Sequence, residues 1–303
     1  MLHPTTDEDL GPDPPLVSVV MLNFNEEKYV DAAIRSILAQ SYQNFELIVV
    51  DGVSTDHSKE IADAYSGLDQ RIRVLLEPRR GISIARNTGL KESRGDFVTF
   101  TDADDISHEN RLREQVRVLV EDSELAGCHT NGWIINESGE ATGQTYHPDI
   151  VDVPIGTSQS DTFSALLRRD FILQGSMLLR RTDVPNDAYD VELKFAEDWD
   201  FWIRLAYRRS FAYIPRPLYG YRVHVHAPWK LSWIYHAMIY EKCLRLYNLS
   251  KEDRTVVIRK LMRLYRGTRS YGKLLGLLRT EPIARSLFYG YILGRPGGRL
   301  ETA

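Results

Sequence analysis

Apolar runs and amphipathic stretches alternate along the first hundred residues. Leu16–Asn23 (LVSVVMLN) is almost continuously apolar, which predicts a buried strand. In Glu27–Gln40 the residues Tyr29, Val30, Ala33, Ile34, Ile37 and Leu38 recur at helical spacing, which predicts an amphipathic helix. The pattern repeats: a strand over Phe45–Val50 ending at Asp51, a helix over Ser54–Tyr65 and a strand over Ile72–Leu76. A helix over Ile82–Glu92, closed by Gly95, and a strand over Phe97–Thr101 follow. Strands alternating with helices of this length predict an α/β fold, a mostly parallel central sheet flanked by helices. Right-handed crossovers then place the loops that follow the strands on one edge of the sheet.

Beyond the fourth strand the pattern loosens. Asn110–Val120 predicts a helix, Leu125–Ile135 alternates poorly, and Asn136–Gly139 reads as a turn. Val151–Asp161 is irregular, Met177–Leu179 and Phe211–Ile214 read as short strands, and Asp198–Arg208 as an aromatic-rich helix. Residues 231–291 are helical in pattern, and a Gly/Pro-rich tail follows. Residues 1–15 are polar and Pro-rich and read as a tail without secretory character. The expected division is a tail (1–15), a main α/β domain (16–229, in two halves, 16–105 and 106–229) and a helical extension (230–303).

Composition adds two constraints. Cys128 and Cys243 are the only cysteines, too few for a disulfide framework or a thiolate metal site, and they fit a cytoplasmic protein. Net charge is −4, but residues 230–303 carry 15 basic and 5 acidic side chains, a net of +10 that leaves −14 for the rest. Such asymmetry points to an anionic partner.

The candidate chemistry lies at the strand ends: Asn23-Phe24-Asn25-Glu26, Asp51-Gly52-Val53-Ser54-Thr55-Asp56, the loop Arg79-Arg80-Gly81 with Arg86, and Asp102-Ala103-Asp104-Asp105. Open α/β sheets bind ligands at this edge. A nucleotide needs a face for its base, acceptors for base and ribose, and neutralisation of its diphosphate. Phe24 offers the face, Asp51 the base acceptor, Asp102 the ribose acceptor and Asp104 a site for Mn²⁺ or Mg²⁺. Plainer readings compete: Phe24 in the core, Asp51 and Asp56 as helix caps, Arg86 in a surface ion pair.

Two stretches, Val17–Tyr65 and Gly81–Asp105, resemble the family 2 glycosyltransferases, inverting enzymes on the GT-A nucleotide-sugar fold. Phe195-Ala196-Glu197-Asp198-Trp199-Asp200 resembles that family's acidic catalytic motif, in which the second carboxylate of the Glu-Asp pair is the base. Pro217–His224 resembles the segment that closes over the phosphates. The resemblance implies Asp198 as the base, with Asn23, Phe24, Glu26, Asp51, Arg86 and Asp102 at the donor, Glu26 and Arg86 organising its loop. It implies Asp104 at the metal, and His224, with His226 its competitor, as a metal ligand or a hydrogen-bond donor to phosphate. The donor would be a UDP-, dTDP- or GDP-sugar and the acceptor a glycan or lipid-linked hydroxyl, in polysaccharide, glycolipid or cell-envelope glycan synthesis. A sugar-nucleotide nucleotidyltransferase and a non-catalytic nucleotide-sugar sensor are the alternatives.

Two departures stand out. Phe24 replaces the family's usual tyrosine, and Val53 its usual glycine. A β-branched residue at 53 argues against a positive φ there. Trp199 and Trp202 share a helical face, for core packing or for stacking on a sugar. The basic C-terminal helices either pack on the catalytic domain or make a peripheral contact with anionic lipid at the inner face of the membrane. Nucleic acid is not expected, since no binding module accompanies the charge.

Overall fold

In the computed structural model the described residues are 13–146, 159–224 and 232–292. The first half follows the hydrophobic pattern closely. β1 (Val17–Asn23) and β2 (Phe45–Asp51) are buried almost throughout. Helix α1 (Val30–Leu38) links them and buries Val30, Ala33, Ile34 and Ile37. These side chains join Val17, Val19, Met21, Leu47 and Val49 in one apolar cluster. Helix α2 (Ser58–Leu68), β3 (Ile72–Leu76), α3 (Ile82–Glu92) and β4 (Phe97–Asp102) complete the pattern. Helix α3 presses so closely on β1 that a Cβ at Gly89 would lie 2.2 Å from a Val20 methyl carbon. Only glycine fits there.

The second half comprises β5 (Ile106–Ser107), α4 (Arg111–Glu121), β6 (Leu125–Ile135), β7 (Ala141–Thr145), α5 (Gln159–Arg168), β8 (Met177–Arg180), α6 (Glu197–Ala206) and β9 (Ser210–Arg222). The sheet runs β3-β2-β1-β4-β8-β6-β9-β5, with β7 on β6. From β3 to β4 every pairing is parallel. Beyond β4 the sheet is mixed: β8 runs antiparallel to β4 and β6, β9 parallel to β6, and β5 antiparallel to β9.

The weak alternation over Leu125–Ile135 has a structural reason. β6 is a full eleven-residue strand that buries the polar residues His129, Thr130 and Asn131 along with apolar ones. Its register against β9 shifts at three places. β9 likewise runs thirteen residues, far beyond the expected Phe211–Ile214, because it continues through Pro217 into the closing segment. Most of the expected irregular stretch Val151–Asp161 lies outside the described residues, as do the chain's first twelve.

The described residues divide into two compact units. One holds those up to Phe163 and from Phe171 through β9; the other holds Ser164–Asp170 and the helices that follow. Those helices are α7 (Ser232–Leu246), α8 (Lys251–Gly267), α9 (Tyr271–Thr280) and α10 (Pro282–Ile292). No helix among the described residues is long and apolar enough to cross a membrane.

Candidate active site

Strand register builds the site. β1 lies between β2 and β4, with Asn23 opposite Asp51 and Leu22 opposite Asp102. Three polar strand ends therefore stand abreast on one edge. Between β1 and β4 the strand order reverses, which opens a crevice at the carboxyl ends of the strands. A cleft of about 440 Å³ occupies it, with Phe24, Glu26, Arg80, Asp102 and Asp104 in its walls.

Phe24 is 49% exposed and lines this cleft, which excludes the core reading. Asn23 is buried beneath it; its amide donates to Asp51 Oδ2 at 2.7 Å and Ser58 Oγ at 3.1 Å. Asp51 is fully buried, and its oxygens also accept from the Ser54 amide (3.0 Å) and hydroxyl (2.7 Å). In this structure the Asp51 carboxylate orders the turn after β2 rather than capping α2, and stays out of the cleft wall. Asp56 accepts from the Ser58 and Glu27 amides and so ties the two loops together. Contrary to expectation, Val53 has φ 62°. The left-handed turn persists without the glycine, at a cost of about 1–2 kcal/mol.

The acidic loop after β4 is the electrostatic centre. Carboxylate oxygens of Asp102, Asp104 and Asp105 lie within 4.8 Å of one another. Asp105 is buried and committed: it accepts from Tyr219 Oη and from the Arg222 amide, both at 2.8 Å. Burial, with Asp104 and Asp102 beside it, raises its proton affinity well above the ordinary. Arg222 Nε donates to the Asp104 carbonyl at 2.6 Å, and its guanidinium lies over the Tyr29 ring. Asp102 and Asp104 are half-buried and reach the cleft. Burial, opposed by Arg86 and reinforced by Asp104, pushes Asp102 up to about 6. Glu26 is pushed up to about 7, by burial first and then by Asp104. At both groups the charge of Asp104 adds to burial, and Arg86 and His224 offset only part of the rise. His224 Nε2 lies 2.8 Å from Asp104 Oδ2. This set of carboxylate oxygens with one imidazole suits Mn²⁺ or Mg²⁺. His226 lies outside the described residues.

The second acidic pair begins α6. Ala196 precedes it in a left-handed conformation (φ 58°, ψ 24°) and turns the chain into the helix. Glu197 is buried and forms an ion pair with Arg86 of α3, itself 2% exposed. The surface-pair reading of Arg86 therefore fails. Its guanidinium stacks on Tyr189, 5.3 Å from the ring centre, and also faces the charges of Asp102 and Asp198. Arg86 thus braces the acidic turn, and the cleft is lined by its neighbour Ala85. Burial and then Glu197, against the pull of Arg86, push Asp198 up to about 6. Trp199 and Trp202 are buried and pack in the core.

Three residues that the sequence marks only as members of a loop or a segment take their positions from the fold. Arg80 is one of several loop cations until the fold puts it in the cleft wall. Tyr219 and Arg222 act through contacts more than a hundred residues away, which no spacing rule detects.

Comparison with known proteins gives the same picture. EpsH of Bacillus subtilis (strain 168), which bears a glycosyltransferase name, is 28% identical over 241 residues, 77% of this chain and 67% of EpsH. Two solved structures share the fold. S. aureus TarS 1–349 in complex with UDP-GlcNAc has a TM-score of 0.61 at 20% identity, covering 92% of this chain and 81% of that one. The mannosyltransferase PcManGT from Pyrobaculum calidifontis, in complex with GDP-Man and Mn²⁺, has a TM-score of 0.55 at 17% identity, with coverages of 93% and 81%. Glycosyl transferase family 2 matches residues 18–182, more than half of the chain and the whole donor edge from β1 to the acidic loop, and the chain belongs to that family.

Proposed function

We propose that this glycosyltransferase moves a sugar, with inversion, from a nucleotide-diphosphate donor to a hydroxyl acceptor, in polysaccharide, glycolipid or cell-envelope glycan synthesis. The observation that carries the reading is the register that places Phe24, Asp102 and Asp104 around one cleft. On this reading the base stacks on Phe24, Asp102 accepts from the ribose, and Asn23 and Asp51 hold the loop beneath. Glu26 and Arg86 organise the surroundings of the donor. A divalent ion held by Asp104 and His224 supplies charge neutralisation at the leaving diphosphate. TarS and PcManGT, the one with UDP-GlcNAc and the other with GDP-Man and Mn²⁺, support a nucleotide-sugar donor and a divalent ion for this chain.

Asp198 is the proposed base. Its raised proton affinity suits removal of a proton from the acceptor hydroxyl as that oxygen attacks the anomeric carbon. The carbon–oxygen bond to the acceptor forms on the face opposite the departing diphosphate, so one displacement inverts the centre. The acceptor is a glycan or a lipid-linked glycan, reached through a peripheral membrane contact of residues 230–303.

A thermal-shift panel of UDP-, dTDP- and GDP-sugars with Mn²⁺, Mg²⁺ or EDTA tests the donor site. A shift that requires both one nucleotide and the metal supports the proposal and names the base. The absence of any shift across the panel rejects it. Donor hydrolysis by the purified protein excludes a non-catalytic sensor.

A further inference from the structure

We propose that the face formed by the start of α7, the α8–α9 joint and the outer side of α9 docks on an anionic lipid bilayer. Charge is the first reason. Residues 232–292 hold twelve Lys/Arg and four Asp/Glu. All four carboxylates are already paired: Glu241 with Lys273, Glu281 with Arg254, and Glu252 and Asp253 with Arg168. The positive excess is therefore not an arrangement of internal ion pairs.

Apolar exposure is the second. On α9, Tyr271 and Leu275 are 59% and 56% exposed and lie one turn apart, with Arg279 a further turn along the same face. Leu274 and Leu277 turn inward instead. The Trp233 ring lies over Gly267 at the end of α8, 3.4 Å from where a Cβ would stand. Trp233 and Ile234 thus lie by the same joint, 45% and 52% exposed.

The joint itself is the third reason. Arg269 closes α8 in a left-handed conformation, φ 56°, while the Ser270 amide donates back to the Tyr265 carbonyl at 2.7 Å. Glycine is the inexpensive residue at such a helix end. Here the chain accepts the strain and presents an exposed guanidinium beside Tyr271.

Aromatic and aliphatic tips interspersed with arginines match the interfacial zone of a bilayer, where rings and methyls enter among the acyl chains and guanidinium groups meet phosphate. A nucleic-acid backbone would take the cations but leave Leu275 and Ile234 in water. The inference gives the proposed peripheral contact a face, and it stands on observations separate from the donor site.

Co-sedimentation of the full chain with phosphatidylglycerol-containing or pure phosphatidylcholine vesicles tests it. Binding is expected to the first and not to the second. The double charge reversal Arg269→Glu/Arg279→Glu should lower partition about tenfold or more, given about fivefold per basic residue at a membrane surface. Leu275→Asp should abolish it. Both changes lie at exposed positions, and circular dichroism with donor binding checks that the chain is folded. No binding to anionic vesicles, equal binding to both compositions, or variants that bind like the parent overturn the proposal. So does preferential retention on RNA or on an acidic protein. Asp198→Asn should bind vesicles like the parent, so failure of the docking face and failure of the catalytic reading are read separately.

Discussion

The site contains two acidic pairs that differ in one respect. Glu197–Asp198 sits against a buried arginine supplied by the chain. Asp102–Asp104 has Glu26 and Asp105 for neighbours; the Arg86 guanidinium reaches Asp102 only with its charge, and the His224 imidazole is the contact at Asp104. Burial raises proton affinity in both, so burial alone does not separate their roles. The counter-charge does. A pair with its own fixed cation is held in one geometry and suited to proton transfer, whereas a pair short of positive charge is suited to receive a cation together with an anionic ligand.

Substitutions can break this contrast. Asp198→Asn should lower transfer by about 10²–10⁴-fold, the usual contribution of a general base, and leave donor binding intact. Retained transfer would sink the base assignment. In the parent enzyme, the Asp198 carboxylate is ionised above about 6 and protonated below it. Transfer should therefore fall as pH drops through 6. The sign for stability is opposite. A carboxylate whose folded-state proton affinity is raised costs stability at neutral pH and nothing once protonated. Asp198→Asn should thus raise the melting temperature at pH 8 and not at pH 4.

Arg86→Ala is the next largest. Removing one member of a buried ion pair costs about 3–5 kcal/mol, because the partner is left charged and unpaired. Denaturant melts should show that loss, with Glu197→Gln recovering part of it in the double variant. An unchanged midpoint would mean that Arg86 does not brace the acidic turn. For the other pair, Asp104→Ala should weaken donor binding by about 10–100-fold when metal is present and change it little in EDTA. Isothermal titration separates the two conditions, and equal loss in both would detach Asp104 from the metal. The smallest effect concerns the donor loop. Val53→Gly should stabilise by about 1 kcal/mol, the strain of a β-branched residue at positive φ less the entropy of glycine. A lower melting temperature would show that the exposed valine makes a contact of value.

How legible the molecule was follows the same divide. The donor half was readable because parallel strands buried on both faces are written as apolar runs, and its helices bury one clean stripe each. β3 and α3 match their expected bounds to the residue. Beyond β4, long-range contacts override local pattern. β6 hides polar side chains, and Arg86 became a brace for α6 only through an element 111 residues away. Val53 erred in the other direction: intrinsic preference spoke against the turn, while the Asp51 and Asn25 hydrogen bonds around it impose the conformation. For Phe24, average burial favoured the core alternative, and the ring instead lines the cleft, where the motif reading put it.

One hydrogen bond offers a clock for the site. The Arg222 amide, at the very end of β9, donates to the Asp105 carboxylate within the acidic loop rather than to another strand. Its deuterium uptake therefore depends on how often the closing segment lifts from the loop, not on unravelling of the sheet. Because Asp105 is three residues from Asp102, that single amide reports opening on the donor side in real time, without any substrate being turned over.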